Sequence, residues 1–298
     1  MQRWKKCPDE RMPEVSVLIP LFGTHRGRDV LADVCAAWLA QSIATEVIVA
    51  IAGTGPPSLP ADTRVRVIRA NSAVASPGTL RNLAARHAAG RRLYLSDADV
   101  RPLGTDFLER AHELAGGRPL VQPWMYRLVG LADVGGDDWW RELAGQRCCF
   151  LRADPAAGRI TSYPAERYVT ESGELFVLPP DELAVTSGPA EQRWRSPFHW
   201  GGLLLERALF TAVGGYCPDY AGWGCEDDDL LAKVTLMTSV SVAWRAAPTL
   251  RCLHFEHQRP YSTPAFAANQ SILARRLAAG PAAMIATDLQ TYERLTDG

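Results

Sequence analysis

The segment RLYLSDAD, residues 92–99, joins a short apolar run to two aspartates that stand one residue apart, Asp97 and Asp99. The run RLYLS at 92–96 predicts a buried strand that leads directly into Asp97. Two carboxylates this close repel each other unless a proton or a cation lies between them. A hard divalent ion with oxygen ligands meets that need, and such ions also bind diphosphates. The pair therefore indicates a metal and diphosphate site, with a solvated turn as the alternative because aspartate is common in turns.

Strand and helix patterns alternate through the first half of the chain, on both sides of this segment. The predicted strands are 15–20, 46–51, 65–69 and 92–96, and the predicted helices are 29–41 and 78–89. This alternation indicates an α/β fold with a single Rossmann-like, mainly parallel sheet flanked by helices. Ligands of such sheets bind at the carboxyl ends of the strands, which is where Asp97 and Asp99 fall.

The second half of the chain has a weaker pattern. Residues 150–196 show no clear periodicity and are rich in Pro, Gly, Thr and Ser, which predicts a long insertion near the site. Further strands are predicted at 240–244 and 249–253. Helical spacing returns at 226–237 and again from 264 to 296.

Composition argues against several classes of protein. The chain has 298 residues and a formal net charge of −1, whereas general nucleic-acid binding needs a basic face. Its seven cysteines form no Cys-x-x-Cys pair, which indicates reduced thiols rather than a disulfide frame or a zinc site. Neither a signal peptide nor a membrane span is predicted. We therefore expect a cytoplasmic protein without a transmembrane segment; peripheral contact with the inner membrane face and the oligomeric state stay open.

A second motif begins at a glycine-rich turn and ends in four consecutive acids. Residues 214–230 read GGYCPDYAGWGCEDDDL, and the acids at 226–229 open a predicted helix. The helix dipole favours acids in a first turn, which accounts for one or two of them but not for four beside a tryptophan. The face of Trp223 suits the C–H face of a sugar, and a neighbouring carboxylate can deprotonate an attacking hydroxyl.

Together the two motifs resemble those of the GT-A-fold glycosyltransferases. Asp97-Ala98-Asp99 resembles the Asp-x-Asp element of family 2, and SPGTLRN at 76–82 resembles the helix start that precedes it there. The block at 214–230 resembles the acceptor-side Trp-Gly-x-Glu-Asp motif of family 2 and of the β-1,4-galactosyltransferase-like enzymes of family 7. This second similarity extends back through 201–206 and Phe210. The resemblance implies a GT-A fold that binds a nucleotide-sugar donor.

On the donor side, the resemblance implies that Arg81 faces the diphosphate, that Asp97 contacts the ribose or diphosphate, and that Asp99 ligates a divalent metal, Mn²⁺ or Mg²⁺. Family 2 enzymes place an acid after the second strand, but this chain has Ile51-Ala52-Gly53 there, so the nucleotide base stays open, with UDP expected. Candidates for the base pocket follow the first strand: Pro20, Leu21, Phe22 and Arg26.

On the acceptor side, the resemblance implies that Glu226 holds the acceptor hydroxyls and Asp227 is the general base. Acids at both positions are typical of the inverting branch of these enzymes. Asp228 and Asp229 are expected to be structural or helix-capping. Further acceptor candidates are Gly202, Trp223, Gly224, His199 and Trp200. Other tryptophans are candidates for stacking on a ligand or for the core: Trp124, Trp139, Trp140 and Trp194.

Two histidines follow the last predicted strand, in the sequence LHFEH at 253–257. A neutral imidazole there can complete a metal shell, and the family places a metal-binding histidine at this point, which aligns best with His254. In a regular strand His254 and Glu256 share a face while His257 points away. Both histidines can therefore reach one ion only if the chain turns.

These observations predict one catalytic domain at 1–260, with a nucleotide-sugar-binding half at about 13–125 and an acceptor-binding half at about 126–260. A helical extension follows at 261–298. The function indicated is an inverting, metal-dependent transfer of a sugar from a nucleotide diphosphate sugar to a hydroxyl of a small molecule, natural product or lipid-linked glycan. The alternatives are a sugar-1-phosphate nucleotidyltransferase and a non-catalytic nucleotide-sugar or carbohydrate-binding protein. The segment 23–26 faintly resembles the glycine-rich triphosphate loop of such a nucleotidyltransferase.

Overall fold

The structure is a computed structural model that describes residues 12–22, 27–53, 57–71, 76–129, 139–143, 149–154, 159–163, 166–169, 175–179, 183, 194–243, 250–257 and 263–294. Its strands are β1 (Val15–Phe22), β2 (Thr45–Ala52), β3 (Val65–Arg69), β4 (Arg92–Leu95), β5 (Val100–Pro102), β6 (Leu120–Val121), β7 (Trp124–Val129), β8 (Phe150–Asp154), β9 (Arg159–Tyr163), β10 (Glu166–Val169), β11 (Leu175–Leu178), β12 (Leu203–Glu206), β13 (Ser241–Val242) and β14 (Arg251–Phe255). Its helices are α1 (Gly27–Leu39), α2 (Pro77–Arg86), α3 (Phe107–Ala115), α4 (Trp139–Glu142), α5 (Arg207–Ala212), α6 (Glu226–Met237), α7 (Pro264–Ala279) and α8 (Pro281–Arg294).

The central sheet has seven strands in the order β13-β6-β12-β4-β1-β2-β3. The strands β4, β1, β2 and β3 are parallel to one another, and β6 and β13 form a further parallel pair. Only β12 runs antiparallel to its neighbours β4 and β6. The four strands predicted in the first half of the chain are all present, and the predicted α/β class with a mainly parallel sheet is confirmed.

Successive side chains of β1 point to opposite faces of this sheet, and helices cover both faces. Val17 and Ile19 join a core cluster with residues of α1 and α3, whereas Leu18 joins a second cluster with residues of α2 and α6. Every residue of β1 except Phe22 is buried, as expected for a parallel strand between two helical layers.

The structure has a second sheet, whereas the sequence predicts a single one. This second sheet has five strands in the order β5-β14-β7-β8-β9. The stretch 150–196, predicted as an insertion, supplies strands β8 and β9 of this sheet and also strands β10 and β11, which form a separate two-stranded antiparallel sheet. These strands were hard to recognise because β8 and β9 are only partly buried and alternate poorly. The sheet matters for the site because β14 carries the histidine motif.

The predicted C-terminal helix is two helices, which separate at Gly280. Gly280 has a φ of 88°, a conformation that favours glycine, and Pro281 begins the next helix. Both helices pack against α6. Among the described residues, no helix combines the length and apolar character needed to cross a membrane.

Candidate active site

The Asp-x-Asp pair lies where β4 of the central sheet ends and β5 of the second sheet begins. The backbone carbonyl of Asp99 accepts a hydrogen bond of 3.0 Å from the backbone N–H of Phe255, the last residue of β14. This bond holds the end of the histidine-bearing strand against the aspartate motif. Residues about 155 positions apart in the chain (99 to 254) are thereby brought to one place.

Asp99, His254 and His257 form the cluster that could hold a metal ion. One ligand atom from each lies within 4.8 Å of the others. The Nε2 atom of His257 is 2.9 Å from Oδ2 of Asp99, and Nε2 of His254 is 3.5 Å from the same oxygen. Both histidines reach Asp99 because β14 ends at Phe255, so His257 lies beyond the regular strand. One carboxylate and two imidazoles are a donor set that suits a divalent first-row ion.

Burial lowers the pKa of His254 from its ordinary value. A lowered pKa favours the neutral imidazole, which is the form that binds a metal. The Nδ1 atom of His254 lies 3.0 Å from Oε2 of Glu256, so the carboxylate can hold the ring with Nε2 towards Asp99.

Glu256 is itself enclosed by two arginines, an arrangement that no local sequence pattern predicts. Its side chain is fully buried and accepts hydrogen bonds of 2.8 Å from Arg127 and from Arg195. Arg127 also donates to the carbonyl of Ser196. The shared face of His254 and Glu256 was visible in the strand pattern, but the arginines come from distant segments. We call Arg127, Arg195 and Glu256 the metal-side cluster.

Arg81 has a different place from the one expected. Its side chain is 1% exposed, and it is not among the described residues that line the cavity. The guanidinium instead donates to Asp97 at 2.5 Å and to Asp227 at 3.1 Å. The capping box of Ser76 and Thr79 begins α2 one turn earlier and sets this position. Arg81 therefore orients a carboxylate from each motif, and direct contact with a diphosphate would require its movement.

Glu226 and Asp227 open α6 directly after Cys225, whose φ is 74°. Asp227 accepts hydrogen bonds from Arg81 and, at 2.9 Å, from the hydroxyl of Tyr216. Glu226 is buried, and its burial, together with the neighbouring charge of Asp227, raises its pKa to about 8. Tyr216 lies within the glycine-rich turn, where the sequence pattern gave no reason to single it out.

His199 and Trp200, which precede β12, also line the cavity. The Nε2 atom of His199 lies 3.0 Å from Oδ2 of Asp97, and Nε1 of Trp200 donates to Asp228 at 2.7 Å. Asp228, expected to be structural, thus lies at the site. Gly202 is buried behind His199, where a Cβ atom would lie 2.7 Å from the imidazole, and it is not among the described lining residues. Its place supports packing of His199 rather than contact with an acceptor.

A cavity of about 590 Å³ connects these groups. The lining includes the following site residues predicted from the sequence: Pro20, Phe22, Asp97, Asp99, His199, Trp200, Trp223, Gly224, Glu226, Asp227, His254 and His257. Helix α7 also contributes to the lining, which the sequence did not indicate.

Other candidates lie elsewhere. Leu21 is buried in the core, and Asp229 pairs with Arg276 away from the lining. Arg26 and the whole segment 23–26, on which the nucleotidyltransferase alternative rested, lie outside the described residues. The remaining tryptophan candidates are not among the described lining residues: Trp124, Trp139, Trp140 and Trp194.

Comparison with known proteins supports the fold. Residues 183–258, about a quarter of the chain, match a family model described as the N-terminal domain of galactosyltransferase. No curated protein matches the chain. The structure of S. aureus TarS 1–349 in complex with UDP-GlcNAc is similar, with a TM-score of 0.52 and 13% identity over 94% of this chain and 72% of that one. GalNAc-T7 with UDP, GalNAc and Mn²⁺ has a TM-score of 0.46 and 17% identity over 89% of this chain and 48% of that one. The similarity to TarS agrees with the GT-A fold.

Proposed function

We propose that this chain is an inverting, metal-dependent glycosyltransferase that moves a sugar from a nucleotide diphosphate sugar to an acceptor hydroxyl. The observation that carries the proposal is one cavity with two chemically distinct sides. Asp99, His254 and His257 form a metal-binding side, and Glu226 and Asp227 form a carboxylate side. The family match at 183–258 covers the whole of the second motif.

The donor is proposed to be a UDP-sugar. TarS, which has a similar fold, was solved with UDP-GlcNAc. Pro20 and Phe22 lie on the cavity wall at the end of β1 and offer apolar surface to a nucleotide base. Asp97 lies beside them at the end of β4, where the ribose or diphosphate of such a donor would lie.

The charges that line the cavity support the proposed metal dependence. Five acidic side chains are present among the described lining residues, none of those residues is a lysine or arginine, and Arg81 pairs with two of the five, Asp97 and Asp227. A diphosphate entering this cavity meets strong repulsion unless a cation lies between it and the acids. Asp99 with the two histidines can hold that cation, which when bound neutralises the charge on the departing diphosphate.

In the proposed reaction, Asp227 accepts the proton of the acceptor hydroxyl. The hydroxyl oxygen bonds to the anomeric carbon as the bond from that carbon to the diphosphate oxygen breaks, and the electron pair leaves with the diphosphate. Attack from the opposite face inverts the anomeric configuration. Tyr216 and Arg81 hold Asp227 for this role. Glu226 binds the acceptor hydroxyls.

A thermal-shift screen of nucleotide sugars, with MnCl₂ or with EDTA, tests the proposal. Ligands of the native state raise the melting temperature by mass action, so the donor should stabilise the protein with manganese and far less with EDTA. The best donor is then assayed for transfer, and NMR of the product gives the anomeric configuration. An equal rise in melting temperature with MnCl₂ and with EDTA would contradict the metal role. A product with retained anomeric configuration would contradict inversion. Pyrophosphate release from a nucleoside triphosphate and a sugar phosphate would instead establish a nucleotidyltransferase.

A further inference from the structure

Helix α7 presents one uncharged face to the cavity. Phe266, Gln270, Leu273, Ala274 and Leu277 all line it, and their spacing of three and four residues places them on one side of the helix. Leu277 is 46% exposed, which leaves a large apolar side chain at the outer end of this face. We call these five residues the α7 face.

Buried polar contacts fix the orientation of this face. The side-chain amide of Asn269 donates to the carbonyls of Ala221 at 3.0 Å and Gly224 at 3.1 Å. Phe266 stacks on Trp223, with ring centroids 5.4 Å apart and an interplanar angle of 26°. The α7 face is therefore continuous with the turn that precedes Glu226, and an acceptor held by Glu226 would extend onto it.

Resting on the proposed function, we infer that the α7 face is a subsite for an uncharged, apolar aglycone on a small-molecule acceptor. Phe176 and Phe198 add apolar surface to the same cavity. The acidic lining of the cavity favours an uncharged aglycone over a lipid-phosphate-linked glycan. A second phosphate group would have to lie in a cavity whose described lining has five acidic side chains and no lysine or arginine, and the adjacent Arg81 already pairs with two of those acids, Asp97 and Asp227.

The experiment measures binding of acceptor probes to the protein loaded with UDP and Mn²⁺, by isothermal titration calorimetry. The probes are glucose, galactose and N-acetylglucosamine as free sugars, as 4-nitrophenyl glycosides and as prenyl phosphate glycosides. We expect the best 4-nitrophenyl glycoside to bind about tenfold more tightly than its free sugar, which is the scale of a small apolar contact. Leu277→Asn and Leu273→Asn should remove most of that preference.

Leu236→Asn is the matched control, because Leu236 is 54% exposed on α6 and is not a described lining residue. It should leave the preference unchanged, and Leu277→Asn is expected to fold because that position is also largely exposed. Equal binding of free and aryl sugars, tighter binding of a prenyl phosphate glycoside, or preference retained in both lining variants would overturn the subsite. Failure of the wild-type protein to bind UDP with Mn²⁺ would instead overturn the proposed function.

Discussion

The two sides of the cavity are each supported by a buried cluster of charges, but the clusters are built differently. The metal-side cluster joins Glu256, which directly follows β14, to Arg127 on the adjacent strand β7, and Arg195 completes it. The acceptor side is supported by Asp229 and Lys233 of α6, which pair with Arg276 of α7 and Asp288 of α8. We call these four residues the acceptor-side cluster.

This difference indicates which property of the site a substitution in each cluster should affect. The metal side is fixed by strand register, since Arg127 and His254 are paired residues of neighbouring strands. The acceptor side depends on the packing of three helices, and the last two come from the end of the chain. We therefore expect changes in the metal-side cluster to act on metal binding and changes in the acceptor-side cluster to act on the position of α6 and α7.

The largest effect is expected from Asp99→Ala, which removes the only carboxylate of the described metal cluster. Loss of the metal removes several kcal/mol of charge stabilisation, so transfer should fall by about 10⁴-fold. Mn²⁺ binding measured by calorimetry should be lost together with transfer. Asp106→Ala, at a half-exposed aspartate paired with Arg110, serves as the control and should change neither quantity. Unchanged Mn²⁺ affinity in Asp99→Ala would place the metal elsewhere.

Asp227→Asn should lower the rate of transfer without weakening donor binding, and so distinguish the roles of the two sides of the cavity. Loss of a general base typically costs about 10²- to 10⁴-fold in rate, whereas the donor contacts are left in place. We expect transfer to fall within that range while the Kd for UDP with Mn²⁺ changes little. Asparagine can still accept hydrogen bonds from Arg81 and Tyr216, so the site should keep its shape. Full turnover in this variant would exclude Asp227 as the base.

Glu256→Gln is expected to have a smaller effect, confined to the metal side. Changes in the partner that orients a metal-binding histidine typically lower metal affinity by about 10- to 100-fold. If Glu256 acts through His254, the substitution should have little further effect in a His254→Ala background, which a double-mutant cycle measures. Asp288→Asn, in the acceptor-side cluster, is the control and should leave Mn²⁺ affinity unchanged. Additive losses in the double variant would show that Glu256 acts independently of His254.

Much of the donor side could be predicted from sequence because its signals are local. Strand β4 ends two residues before Asp97, and His254 lies on β14 with His257 two residues beyond the end of that strand. By contrast, the position of Arg81 between Asp97 and Asp227 depends on contacts across 16 and 146 residues, which no local pattern contains. The α7 face was missed for the same reason: its apolar spacing is that of any amphipathic helix, and only the fold shows that it lines a cavity.

The smallest effect is a pH dependence of stability that arises from Glu226. Burial raises its pKa to about 8 in the folded protein, from an ordinary value of 4.5. Between these values the folded state holds a proton that the unfolded state has released, so this group's contribution to stability is complete below about pH 4.5 and is lost as the pH rises through about 8. The wild-type melting temperature should therefore fall between pH 6 and pH 9 by a few degrees more than that of Glu226→Gln, which cannot ionise. Parallel melting curves for the two proteins would mean that Glu226 is already charged at neutral pH, and the acceptor side would then bind its substrate with both carboxylates ionised.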